Sequence, residues 1–171
     1  MGNNENTAEK ILRPSGEITL PALIKPFDPD KFFRTRKGLL VRDGFREILS
    51  VAREVKSLPD RKIASFDIIP LEIVSNEQIR AELPEGHTFD PSEFCARFAG
   101  MIERQADGNK GDLSTDENHP TITYVFGKRG KVVIAHIRYL RYGFWEWRVD
   151  SLPLSYSGWF AGVSVLSATT N

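Results

Sequence analysis

The chain has 171 residues, 40% hydrophobic and 11% aromatic, with 23 basic side chains against 23 acidic ones and hence no formal net charge. That length suits one domain of roughly 100–200 residues, large enough to bury a core without disulfide or metal, and the composition excludes a disordered chain. Cys95 is the single cysteine, which excludes an intramolecular disulfide and a cysteine-rich zinc site.

Nowhere do the roughly 20 apolar residues needed to span a bilayer run together. The polar residues 1–10 offer no signal-peptide core, and Asn6 stands where a myristoylation motif wants Ser or Thr. The expectation is a cytoplasmic protein with no membrane attachment. The charges are segregated along the chain. Residues 30–62 carry ten basic and five acidic groups, residues 63–120 four and twelve, and residues 121–150 six and two. Such blocks either become two oppositely charged faces or cancel by interleaving in space.

Residues 1–16, ending in Pro14-Ser15-Gly16, read as a flexible tail before one domain over 17–171. The apolar run Ile18 to Ile24 contains Pro21, which cannot donate to a ladder, so it is an edge strand or an extended arm. Asp28-Pro29 reads as a helix start feeding Phe32 and Phe33, and Gly38 to Val41 as a short strand. A strong helix is expected from Asp43, since Phe45, Ile48, Leu49, Ala52 and Val55 recur at helical spacing. Its opposite face, with Arg46, Ser50, Arg53 and Glu54, reads as a solvated stripe. Lys62 to Val74 is extended, with Pro70 marking an edge or a bend.

Ser75 and Gln78 have capping-box spacing, and Asp90-Pro91-Ser92-Glu93 repeats it. The second start opens a helix that buries Phe94, Cys95, Phe98, Met101, Ile102 and Gln105. Residues 107–120 form a loop. Strands follow near 121–126, 131–140, 144–152 and 159–167. The predicted fold class is α+β: two main helices and a short one packed on a C-terminal antiparallel meander of about four strands.

One hairpin can be specified further. A three-residue loop Arg141-Tyr142-Gly143 sets Leu140 opposite Phe144, then Tyr139/Trp145, Ile137/Trp147 and Ala135/Val149 on one face. Arg138/Glu146 and His136/Arg148 share the other face. This register sorts apolar from charged residues, so Tyr139, Ile137, Trp145 and Trp147 should pack against the helices.

Three stretches carry a family resemblance: Phe27-Asp28-Pro29-Asp30-Lys31-Phe32-Phe33-Arg34-Thr35-Arg36-Lys37-Gly38-Leu39, then Leu83-Pro84-Glu85-Gly86-His87-Thr88-Phe89-Asp90, and Glu146-Trp147-Arg148-Val149. In this order they resemble a group of small uncharacterised bacterial proteins. Arg42 departs from that pattern, where an aromatic residue is usual. The resemblance implies a folded module and carries over no functional residue.

Candidate chemistry is sparse. His87, His119 and His136 fall in a turn, a loop and a strand, with no metal-ligand spacing between them. Cys95 with His87 upstream is a conceivable nucleophile, but it sits on the apolar stripe of its helix, where cysteine behaves as a small hydrophobe. Gly127 to Lys131 lacks the spacing of a phosphate loop and joins two strands. His136, Arg138, Glu146, Arg148 and Asp150 form a charged patch on the outer sheet face, suited to an anion or to acid–base work, or to cross-strand pairing alone.

Lys31, Arg34, Arg36 and Lys37 interleave with Phe32 and Phe33, while Lys128, Arg129 and Arg141 lie in later turns. Basic residues beside aromatics suit phosphates and bases. No metal or cofactor is implied. Trp159 and Phe160 alternate faces, so one of them is available to an interface. The leading expectation is a small non-enzymatic interaction module binding a protein partner or itself. The alternative is nucleic-acid binding through 31–37 and 128–141, and the third is an enzyme using the sheet patch.

Overall fold

A carboxylate just ahead of a proline starts the first helix. In the computed structural model, which describes residues 9–142 and 144–170, α1 (Pro29–Phe32) is capped by Asp28, which accepts from the Asp30 amide at 3.0 Å. The long helix expected from Asp43 does not form. A 3₁₀ turn over Asp43–Phe45 leads into one α-turn, α2 (Arg46–Leu49), and Asp43 caps neither. Phe45, Ile48 and Ala52 are buried as their spacing required. Val55 instead exchanges backbone hydrogen bonds with Phe27 (2.8 and 2.9 Å), and Leu58 does the same with Leu23. Tertiary pairing therefore overrides a helical pattern there.

The two later starts form as read. Ser75 and Gln78 cap α3 (Asn76–Glu82) reciprocally at 3.2 and 2.9 Å. Asp90 caps α4 (Pro91–Arg104) by accepting from the Glu93 amide at 3.0 Å. Only half of this second box is made, because the Glu93 carboxylate turns to Arg61 (2.8 Å) and Arg97 (3.4 Å). Arg97 is buried among apolar residues and donates to the Pro21 and Pro59 carbonyls at 2.8 and 2.6 Å. Its charge and donors are thus met by partners from both sides, as burial demands.

The expected C-terminal antiparallel meander is corrected by the sheet. Among the described residues there are seven strands in one mixed sheet, drawn from both halves of the chain. They are β1 (Leu12–Leu20), β2 (Leu39–Val41), β3 (Arg61–Ile68), β4 (Thr121–Phe126), β5 (Val132–Tyr142), β6 (Phe144–Pro153) and β7 (Ser164–Ser167), in the order β1-β3-β7-β4-β5-β6-β2. The β4–β7 and β2–β6 pairs are parallel and the others antiparallel. β1 begins at Leu12, inside the stretch expected to be a tail.

The chain's last strand lies between β3 and β4, not beyond β6. Every residue of β4 from Thr121 to Val125 is buried, and so are Val165, Leu166 and Ser167 of β7, as central strands covered on both faces must be. One face carries α1, α2 and α4 over a core that includes Phe33, Phe45, Phe94, Phe98 and Trp147. The other carries α3 and the segment 154–163, over Ile79, Tyr124, Trp159 and Val165.

The hairpin between β5 and β6 has the expected faces but not the expected register. Tyr139 lies opposite Trp147, Ile137 opposite Val149, Arg138 opposite Arg148 and His136 opposite Asp150. Every pair is displaced by two residues from the expected one. A shift of two preserves which face each side chain occupies, because strands alternate with period two. Tyr139, Ile137 and Trp147 are accordingly in the helix-covered core, and the Trp147 indole donates to the Gln105 carbonyl at the end of α4 (2.8 Å). The Trp145 side chain and Gly143 lie outside the described residues.

Candidate cationic site

The basic stretch 31–37 is held as a ridge. Aromatic contacts run from Phe32 to Phe33 (4.9 Å between ring centres), Phe45 (4.9 Å) and Phe94 (6.2 Å), tying α1 through the 3₁₀ turn to α4. With Phe33 buried and Phe32 half-buried against it, the flanking cations are left outside. Arg34 folds back to donate from Nε to the Asp30 carbonyl (2.8 Å). Thr35 Oγ1 accepts from the Val41 amide (3.1 Å), and Arg36 and Leu39 exchange backbone hydrogen bonds across a turn. Gly38 supplies the positive φ of 89° that this turn requires.

Beside this ridge lies a cavity of about 780 Å³ into which Arg34, Arg42, Arg46, Arg53 and Lys128 all face. Thr35 and Ser50 contribute hydroxyls to it, Phe33, Val41 and Leu49 an apolar floor, and Asp30 and Asp43 the carboxylates among its described lining residues. Five cations thus share a lining with two carboxylates, and two more approach from outside it. Lys128 reaches Glu47 at 3.8 Å and Arg42 reaches Asp150 at 3.9 Å, both long contacts between partly exposed groups. Such pairs are worth little in water, about 0–1 kcal/mol. Among the described residues, Arg34, Arg46 and Arg53 have no carboxylate within ion-pair distance, and Arg46 makes no side-chain hydrogen bond. Arg53 is steered by the Ser50 and Ala52 carbonyls, each at 3.3 Å.

Close packing sets the position of Arg42. A methyl group on Gly44 would collide with the Asp150 carboxylate and the Ser151 carbonyl, so this glycine lets the 3₁₀ turn lie against the end of β6. Cations from the α1 ridge, the 42–53 segment and the β4–β5 turn meet here. Part of the positive block 30–62, namely Arg34, Arg42, Arg46 and Arg53, therefore gathers here after folding and is joined by Lys128 from the third block.

The remaining basic residues go elsewhere. Arg36 and Lys37 face a second cavity of about 560 Å³ on the other side of the ridge. Lys31 and Arg36 face a third beside α4. Arg129 is exposed in the β4–β5 turn with a φ of 57°. Arg141 is at the far end of β5, near Thr115 to Asn118. Ten residues of strand separate these two ends, about 33 Å. The stretch 128–141 is therefore not one surface. Arg42, Arg46 and Arg53 were absent from the sequence candidates, since a helical reading made Arg46 and Arg53 part of an ordinary wet stripe. The ten-to-five excess of basic residues over 30–62 was the available signal.

The sheet-face patch resolves into pairs. Arg148 donates from Nε to Glu146 on its own strand (3.0 Å), Arg138 donates to the Glu117 carbonyl (2.8 Å), and Asp150 accepts from the Ser151 amide (2.8 Å). His136 stacks on Trp159 with ring centres 6.0 Å apart. Burial, aided by Arg138, pushes its imidazole down to about 4, and Asp150 opposes this. The expected Arg138/Glu146 and His136/Arg148 contacts fall away with the two-residue shift.

His87 and Cys95 lie on opposite faces of the sheet. With its proton on Nδ1, His87 donates to the Pro84 carbonyl (3.0 Å) and accepts from Arg80 Nε at Nε2 (3.2 Å). Burial lowers its imidazole pKa, and Arg80 adds to the effect. The Cys95 thiol is fully buried and raised by desolvation, with Asp30 and Asp90 adding to it. Neither residue is set up as a nucleophile or a base. His119 donates from Nδ1 to Asp116 at 2.8 Å in the 107–120 loop. Among the described residues no group of three or more His, Cys, Asp or Glu could hold a metal, and no helix is long and apolar enough to cross a membrane.

Comparison of the chain with family models, with curated proteins and with solved structures found no match.

Proposed function

We propose that the protein binds nucleic acid through the cationic cavity. The observation that carries this reading is the convergence of Arg34, Arg42, Arg46, Arg53 and Lys128 on one cavity of about 780 Å³. Three of those arginines have no carboxylate partner among the described residues. Guanidinium groups with free donors match phosphate oxygens. The floor of Phe33, Val41 and Leu49 gives sugar or base an apolar surface. Binding of an anionic partner is the activity these groups support best.

The test is fluorescence anisotropy with labelled single- and double-stranded DNA and RNA across a salt series. Log affinity falls by about 0.7 per phosphate contact for single strands, so five contacts give a slope of about −3.5 against log salt. Absence of binding at low salt would sink the reading.

A second reading rests on one other observation. Leu71 and Ile73 are 90% and 68% exposed, and Phe160 is 40% exposed. The Ala161–Pro70 hydrogen bond and the Val74–Trp159 bridge bring them together. That patch supports self-association or a protein partner. Light scattering over a concentration series tests it, with Leu71→Ser and Ile73→Ser expected to abolish any dimer.

A further inference from the structure

The second cavity, about 560 Å³ across the ridge from the cationic one, differs from it in kind. Its floor is apolar, formed by half-buried Phe32 over the buried Leu39, Ile102 and Trp147. Arg36 and Lys37 come from the ridge, whereas Glu103 comes from the last turn of α4 and Asp107 from the turn beyond it. Opposite charges that share a cavity ordinarily pair. Here, among the described residues, neither cation lies within 4.0 Å of either carboxylate. Arg36 is held by hydrogen bonds to the Phe32 and Arg34 carbonyls, with its guanidinium 4.7 Å over the Phe32 ring. Its position is therefore preset without a ligand.

Two cations and two carboxylates held apart around an apolar floor complement a molecule with its own opposite charges close together on an apolar body. We infer that this cavity binds an α-amino acid with a large apolar side chain. The ligand carboxylate faces Arg36 and Lys37, its ammonium faces Glu103 and Asp107, and its side chain lies against Phe32, with the buried Ile102 and Trp147 beneath. The volume falls in the range of roughly 300–1,000 Å³ usual for small-molecule sites. A mononucleotide fits less well, because its phosphate would bring further negative charge to Glu103 and Asp107. This inference does not depend on the nucleic-acid reading, which uses a different cavity.

Isothermal titration of the full chain tests it, using L-phenylalanine, L-tryptophan and L-leucine. Phenethylamine, which lacks the carboxylate, and 3-phenylpropionate, which lacks the ammonium, serve as controls. Binding of at least one amino acid is expected, with each phenyl control weaker than phenylalanine by roughly tenfold, the scale of one lost charged hydrogen bond. Glu103→Gln and Lys37→Gln, both exposed, should each weaken binding similarly, and Ala106→Trp should block it by filling the cavity. Circular dichroism confirms that each variant is folded. No heat with any of the three amino acids, or controls that bind as well as phenylalanine, would overturn the inference.

Discussion

Asn76 is the residue whose loss should be felt most widely. Its side chain makes all four hydrogen bonds open to it. Nδ2 donates to the Leu154 and Tyr156 carbonyls (2.9 and 2.7 Å), and Oδ1 accepts from the Tyr124 hydroxyl (2.8 Å) and the Trp159 indole (2.9 Å). These bonds fasten the segment that leads into β7 to α3 and to Tyr124 of β4. In Asn76→Ala, two buried donors lose their acceptor, at about 1–3 kcal/mol each, so a loss of about 2–6 kcal/mol is expected. Against a typical stability of about 5–15 kcal/mol that is a large fraction.

Urea unfolding followed by tryptophan fluorescence measures the loss. Tyr124→Phe alone should cost about 0.5–1.5 kcal/mol. On the Asn76→Ala background the same change removes an orphaned donor, so it should be neutral or stabilising. An Asn76→Ala loss below about 1 kcal/mol, or an equal Tyr124→Phe cost in both backgrounds, would refute the reasoning.

The other predictions concern titration and accessibility. His136, pushed down to about 4, binds its proton later in the folded state than in the unfolded one, whose value is near 6.5. The unfolded state thus holds more protons between these values, so stability is lost as pH falls from about 6.5 to 4, by about 3 kcal/mol in all. His136→Gln should remove that component of the pH profile, and an unchanged profile would contradict it. Cys95 should resist an aromatic disulfide reagent in the native protein and react only at the rate of unfolding. Fast labelling under native conditions would show that its helix opens locally.

What could be read from the sequence was what neighbours decide. Asp28, Ser75 and Asp90 start helices through bonds to amides two or three residues away, so a short window contains cause and effect. Face assignment in β5 and β6 was equally local, because alternation alone puts Tyr139 and Trp147 on one side. Register was not, since a displacement of two leaves the alternation intact and only packing selects it. The contacts of Trp147 with Gln105 and with β2 carry that choice, and they come from distant segments. The helical spacing from Phe45 to Val55 was misleading for a related reason: Val55 is held extended by its backbone pairing with Phe27, so the periodicity did not continue as a helix there.

The cationic site followed the same division. Its charge excess was visible over residues 30–62, but the place where that charge gathers was not. The ridge turns Arg34 to one side and Arg36 and Lys37 to the other, and Lys128 arrives from a turn 94 positions beyond Arg34. Reading charge along the chain grouped residues that the fold separates, such as Lys128 and Arg141.

The central claim is that the cationic cavity holds the phosphates. The most direct measurement compares Arg46→Glu with Lys62→Glu by oligonucleotide anisotropy across a salt series. Both variants make the same change in charge, yet Arg46 faces the cavity while Lys62 is exposed on β3, away from it. The account predicts that Arg46→Glu weakens binding roughly tenfold or more and flattens the salt slope by about one, while Lys62→Glu changes little. Equal losses in the two variants would mean that net charge, not the cavity, governs binding, and would contradict the account.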